Sequence, residues 1–336
     1  MKMSFPLLKL PLIPLEIIIE QLDFLDLLQL SMKSLKFKRL LELFKLSVQY
    51  LNVRFTESSY EVSIWQNCNQ SHINACDSVP VDTTTEAVKI EGKLMHVWKD
   101  CSNTLKVKSD LSEMAILEAV TKHVLSFSKV TKYFATYDDT KTEIRSLFIW
   151  QLTTQLDEFD IFPNNDICVP ISSEDLTFLL EGISIECLCL NVSCPGFKYQ
   201  KPIKHPEIYI RSPRWIDFDQ FSLGPDTIIV DVSNQKVSDD VFTRLIKDWT
   251  EGKNPNLTEV LFTWEDNDPE SLAMAREHET QPPKHVLPKR NIEQLKGLCI
   301  NYSITYHFWS NSVYYTAKLS VEDDFGRNGV HLEGQF

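Results

Sequence analysis

Cys187 and Cys189, in the run "CLCLNV", come nearest to a reactive pair in this sequence. On a strand, side chains two apart share a face, so the two thiols would stand together as candidate nucleophiles. A nucleophilic cysteine needs a base beside it, and no signature ties a histidine to either thiol. Buried packing is the expectation. His278 and His285 flank a proline pair beside Glu277 and Glu279, but metal ligands need a rigid frame and this stretch is polar and loop-like. Carboxylates cluster at Asp157–Asp160, Glu265–Glu270 and Glu322–Asp324, where loops are expected, and nothing assigns a pair of them to acid–base work. There are nine glycines and no phosphate-cradling loop. The reading is therefore of a chain that is no enzyme, with no catalytic, cofactor-binding or metal-binding residues.

Bulk properties narrow the partners. The 336 residues suffice for about two domains. With 47 acidic and 34 basic residues the net charge is −13, which argues against attraction to nucleic acid or anionic lipid. Eight cysteines form no C-x-x-C and no zinc-type spacing, as expected of free thiols in a reducing compartment. The sequons at Asn69, Asn191, Asn256 and Asn301 read as chance matches. The greasy stretch Leu10–Ser34 is interrupted by charges at Glu16, Glu20, Asp23 and Asp26 and by Pro11 and Pro14, so neither a membrane span nor a signal peptide is expected. The expected location is intracellular.

That stretch instead predicts short helices. After Pro14, Leu15, Ile18, Ile19 and Leu22 recur at helical spacing with Glu16 and Glu20 opposite. Asp26 is read as the cap of a second helix and Ser34 as the cap of a third, which carries Phe37, Leu40, Leu41 and Phe44. Three helices in about 45 residues cannot hide all this apolar surface. Leu10, Leu12, Ile13 and Ile17 remain as surplus, which marks a partner site or packing onto the rest of the chain.

Residues 10–37 resemble an F-box. Leu10-Pro11 matches the family's opening, Leu15, Ile18, Ile19 and Leu22 its aliphatic positions, and Asp26-Leu27-Leu28 its Asp-Leu-Leu. Ser34, Lys36 and Phe37 follow its closing pattern, while Ile13 replaces a usual acid and Lys33 a usual aliphatic residue. The resemblance implies docking to a Skp-type adaptor and, through it, a cullin–RING ubiquitin ligase. It assigns that contact to Leu10, Pro11, Leu15, Ile18, Leu22, Leu27 and Leu30. Burying about eight such side chains is worth roughly 12–24 kcal/mol gross, against association costs of roughly 4–15 kcal/mol.

Beyond Val48 the pattern moves to period two, in "YEVSIWQ" and "KLMHVWKD", with the polar "NQSHINACDSVPVDTTT" read as a loop between them. A helix is expected from near Asp110, with Glu113 as its capping-box partner. Farther on, "SLFIW", "CLCLNV", "EIYIRS", "TIIVDV" and "TEVLFTW" read as strands. Leu188, Ile208, Ile228 and Val260 are their equivalent positions, at spacings of 20, 20 and 32 residues. Helices are expected over "SSEDLTFLLEG" and "SDDVFTRLIKDWTEG". This alternation suggests parallel strands in a leucine-rich-repeat-like or ordinary α/β arrangement. A polar loop spans about 265–290, and a hairpin closes the chain, with Tyr302, Ile304, Tyr306 and Phe308 on one face.

The region from about 170 to 263 resembles the F-box-associated domain of the large nematode F-box family, whose members open with "FPLL-L", here "FPLLKLP". That likeness implies a module that recognises a target protein. Trp215, Phe218 and Trp264 are the aromatic anchors considered, with ordinary core packing as their alternative. The expected fold class is α+β, with a helical F-box domain over 1–46 and an α/β domain over 47–336. The expected function is substrate recognition in a Skp–cullin–F-box ligase. The alternative is a protein-interaction scaffold outside ubiquitin chemistry, its N-terminal helices packed on its own repeat domain.

Overall fold

A computed structural model describes residues 10–321, apart from positions 58, 68, 82, 101, 140 and 219 and segments 163–167, 221–226, 232–243, 245–258, 267–299 and 310–311. Three helices open a mixed α+β chain that divides into two compact units, Met1–Ile161 and Phe162–Phe336. The segment read as an F-box thus belongs to a unit that extends well past residue 46.

In the first unit, α1 (Leu12–Gln21), α2 (Phe24–Lys33) and α3 (Leu35–Phe44) precede the sheet. Ser34 caps α3 as the spacing predicts, its Oγ accepting from the Phe37 amide at 3.2 Å. The α2 cap is Asp23 rather than Asp26, with its carboxylate accepting from Leu25 N at 2.9 Å. Phe24 and Leu25 are both buried, so the helix begins early enough to carry them into the core.

The sheet contains β1 (Leu46–Thr56), β2 (Tyr60–Gln66), β3 (Asn69–Ala75), β4 (Glu86–Ile90), β5 (Lys93–Lys99), β6 (Thr104–Lys108), β7 (Ser128–Asp138) and β8 (Gln155–Ile161). Its strand order is β8-β7-β1-β2-β3-β6-β5-β4. Between β6 and β7 runs α4 (Glu113–Phe127), which starts at a Ser112 cap, two residues after the Asp110 expected. It packs on β2, β3 and β7 with Ile116, Leu117, Val120, Val124 and Phe127 buried. Glu91 and Gly92 both have positive φ, the two-residue turn that matches strand twist in the β4–β5 hairpin.

Composition misled at three places here. Asn69–Ala75, expected as loop, is β3: Ser71, Ile73 and Ala75 alternate inward, and antiparallel pairing with β2 satisfies its backbone. "SLFIW", expected as a strand, is a compact turn leading into α5 (Ile149–Leu152). Its consecutive Leu147, Phe148 and Ile149 are all buried, and Trp150 Nε1 donates to Ile144 O at 2.6 Å. Asp157–Asp160, expected in a loop, lies on β8, where Leu156, Phe159 and Ile161 are buried. The β7–β8 ladder includes Phe134↔Glu158, and one residue earlier the Asp157 carboxylate takes the Tyr133 amide at 2.8 Å.

The second unit has β9 (Val169–Pro170), α6 (Ser173–Thr177) continued by a π turn (Phe178–Gly182), β10 (Ser184–Ser193) and β11 (Glu207–Arg211). It continues with β12 (Thr227–Asp231), β13 (Glu259–Asp266), β14 (Ile300–Trp309) and β15 (Ser312–Val321). Strands β10 to β13 are parallel, in a register that aligns Leu188, Ile208, Ile228 and Val260, the four positions equated from spacing alone. The closing hairpin is present, with Trp309 opposite Ser312. The expected helix over 238–252, except Arg244, lies outside the described residues, and of the polar loop expected over about 265–290 only Glu265 and Asp266 are described, where they end β13 instead.

Candidate docking surface

Helices α2 and α3 are amphipathic, α1 is apolar on most of its sides, and the tertiary structure decides which apolar faces close. Leu15 and Ile19 of α1, Leu25, Leu27, Leu28 and Met32 of α2, and Phe37 and Leu41 of α3 are buried. Helix α2 packs on β4 and on α3, and α3 packs on α4. Phe24 meets Phe127 of α4 with ring centroids 6.2 Å apart.

Of the seven residues assigned to an adaptor, Pro11 and Leu30 are exposed, Leu10, Ile18 and Leu22 are half-buried, and Leu15 and Leu27 are core. The open apolar surface lies elsewhere as well. Leu12 is 59% exposed, Ile13 72% and Ile17 56% on α1, with Leu35 at 63% and Leu43 at 78% on α3. Ile13 and Ile17 are four apart and share a helix face. Leu12, Ile13 and Ile17 stand out in the sequence as surplus aliphatics. Leu35 and Leu43 carried no such signal, because their helix looks able to bury its leucines on one side.

Ion pairs tie this helical layer to the sheet. Lys33, an F-box departure, pairs with Glu86 of β4, Lys99 of β5 lies 3.6 Å from Asp26, and Lys38 lies 4.0 Å from Glu91. Exposed pairs of this kind add little stability each, roughly 0.2–1 kcal/mol, but they orient the layer.

The buried polar link is stronger. Ser31 Oγ donates to Leu28 O at 2.6 Å, which commits its only hydrogen. It therefore accepts from the Nε2–H of His123, 2.9 Å away on α4. Burial, reinforced by the nearby Lys38 charge, lowers the His123 pKa to about 4, so the imidazole is neutral. A histidine with a depressed folded pKa binds fewer protons folded than unfolded. Its stabilisation is complete above the unfolded value near 6.5 and is lost as pH falls towards 4. The loss over that window should approach about 3 kcal/mol. Urea unfolding between pH 7 and pH 4 should show this excess dependence in the native chain relative to His123→Gln. Parallel pH curves for the two proteins would refute it.

One cluster has hydrolase-like composition. Ser63 and His72 are register partners on β2 and β3, with Glu61 beside them. However, His72 Nδ1 meets both Glu61 Oε1 at 2.7 Å and Ser63 Oγ at 3.1 Å, and the serine donates to the same carboxylate oxygen at 2.7 Å. A Ser–His–acid relay needs serine and acid on opposite ring nitrogens. Burial raises the Glu61 pKa, and the bonds from Ser63 and His72 outweigh it and hold the carboxyl below its ordinary value. The arrangement pins two strands together. Only the strand register brings the three residues together, so the sequence did not signal them.

Among the aromatic anchors considered for a target, Trp215 is 1% exposed and Phe218 7%, so both serve as core. Trp264 lies on β13 opposite Tyr315, and its side chain is outside the described residues. Cys187 and Cys189 do share a face, with sulfurs 3.8 Å apart, both half-buried. No described helix is long and apolar enough to cross a membrane. No protein-family model matches the chain, and no curated protein matches it.

Proposed function

We propose that this chain is the substrate-receptor subunit of a Skp–cullin–F-box ubiquitin ligase, with the N-terminal helices as the adaptor-docking element. The supporting observation is the open aliphatic surface of α1 and α3, carried by residues beside the F-box-like pattern. The reading shifts the adaptor contact to Pro11 and Leu30 of the assigned seven together with Leu12, Ile13 and Ile17, and leaves Leu10, Ile18 and Leu22 at the edge. Leu15 and Leu27 act indirectly, by holding the helices that present these groups. On this view the second unit, whose parallel strands support the leucine-rich-repeat-like reading, selects the target protein and supplies no catalysis of its own.

A second reading has a specific observation in its favour. Helices α2 and α3 pack on α4 and β4 of the same unit, as an interaction scaffold with self-packed N-terminal helices requires. The two readings diverge at α1. Titration of a purified Skp-type adaptor against the full chain should show binding that Leu12→Ala, Ile13→Ala and Ile17→Ala together weaken at least about tenfold, since buried anchor truncations cost on the order of 1 kcal/mol each. Unfolding should be unchanged in that variant, because surface truncations typically stay within about 0.5 kcal/mol. Undiminished adaptor affinity in the triple variant, or no binding by the native chain, rejects the receptor reading in favour of the scaffold.

A further inference from the structure

Strands β2, β1 and β7 of the first unit carry three rings on one face of the sheet. Trp65 stands opposite Tyr50 across β2 and β1, and Phe134 of β7 pairs with Asn52, two residues along β1 from Tyr50. The centroids of Tyr50 and Trp65 are 6.2 Å apart with the rings edge-on, and those of Tyr50 and Phe134 are 5.4 Å apart. Val62, Ile64 and Ile73, which alternate with this face, are fully buried on the side that α4 covers. Tyr50 is 36% and Trp65 37% exposed, and Phe134 is half-buried.

The groups around the rings decide what could lie on them. Asn52 sits between Phe134 and Ser63 in the register, and its carboxamide oxygen has no hydrogen-bond partner among the described residues. The torsion that turns a carboxamide is soft, so this oxygen can swing to a ligand without giving up a bond. Gln70, opposite Trp65 on β3, adds a second carboxamide that is exposed. Each offers an acceptor and donors side by side, which matches a pair of neighbouring hydroxyls. The register also places Arg54 and Lys132 on this face, together with Glu61 and Glu158. Charges of both signs give no pull on a polyanion such as a nucleic-acid strand. A neutral sugar suits the face better. Its weakly positive C–H side lies on the negative face of an aromatic ring, and its hydroxyl edge meets the carboxamides.

We infer that this sheet face binds a neutral β-linked oligosaccharide, whose rings lie on Trp65, Tyr50 and Phe134 and whose hydroxyls bond Asn52 and Gln70. Equatorial β-linked sugars present the flat C–H side that such a row of rings can cover. Strand side chains alone build the site, so the inference goes beyond adaptor docking and does not depend on it.

Calorimetric titration of the full chain with cellotriose and with chitotriose tests it. At least one of the two should bind with a dissociation constant of about 1 mM or lower. Trp65→Leu and Tyr50→Leu, which keep apolar bulk on the strands but remove the rings, should each weaken binding about five- to tenfold. Asn52→Ala and Gln70→Ala should each weaken it about threefold. Urea unfolding of each variant confirms that the folded protein is being compared. No binding of either sugar at about 10 mM overturns the proposal, as does affinity that neither Trp65→Leu nor Tyr50→Leu moves. Tighter binding of decaproline or oligouridylate than of the sugars, lost in Trp65→Leu, also overturns it, in favour of a proline-rich peptide or a nucleic acid.

Discussion

Leu27→Ala should lower the unfolding free energy of the first unit by about 2–5 kcal/mol, the usual cost of truncating a fully buried leucine. Leu27 is 0% exposed, between Leu25 and Leu28, which are equally closed, on the helix that packs against β4 and α3. Truncation removes transfer free energy and leaves a cavity that neighbouring side chains close only in part. Urea unfolding, or hydrogen exchange of the α4 amides, measures the change. Adaptor binding should fall only in proportion to the unfolded fraction, and low temperature or an osmolyte should restore it. Loss of binding in a fully folded Leu27→Ala protein would show that this side chain itself reaches the partner, contrary to its placement.

Trp215→Ala should destabilise the second unit by about 3–5 kcal/mol, the range for deleting a buried large aromatic side chain. Trp215 is the largest fully buried side chain described, and its backbone carbonyl accepts from Tyr199 N at 2.8 Å. Its indole Nε1 has no hydrogen-bond partner among the described residues. Trp215→Phe should therefore cost much less than alanine. It loses some volume but also removes a buried donor whose desolvation is uncompensated, a penalty on the order of 1–3 kcal/mol. Thermal unfolding of the two variants separates a packing role from a recognition role. If alanine at 215 leaves stability intact, the residue does not belong to the core.

The two variants also show how residue type misleads about role. Leu27 and Trp215 both looked suited to a partner, one as an aliphatic in a docking pattern and the other as a rigid aromatic anchor. Both are chemically indistinguishable from core residues, and the structure uses them as core. A leucine on an amphipathic helix meets whichever surface its layer presents, and the spacing along one helix is the same for either fate.

Element type was readable wherever periodicity ran long. The helical rows of α1 to α4 and the parallel strands β10 to β13 follow directly from apolar spacing. The alignment of Leu188, Ile208, Ile228 and Val260 was readable too, because each is the matching apolar position of successive short strands, 20, 20 and 32 residues apart. Reading failed where composition and environment disagree. β3 is polar yet sits between two partner strands, and β8 carries Asp157, Glu158 and Asp160 between the buried Leu156, Phe159 and Ile161. Leu147 to Ile149 form a run as apolar as any strand, yet they fold into a turn.

By itself, then, the sequence determined an α+β chain, its N-terminal helices, the pitch of its parallel strands and an excess of aliphatic side chains near Leu12 and Ile17. Only the tertiary structure decided which of those aliphatics stay open and that His123 and Ser31 fasten α2 to α4. The reason is physical. Periodicity is a property of neighbours along the chain, whereas burial depends on which distant surface arrives opposite.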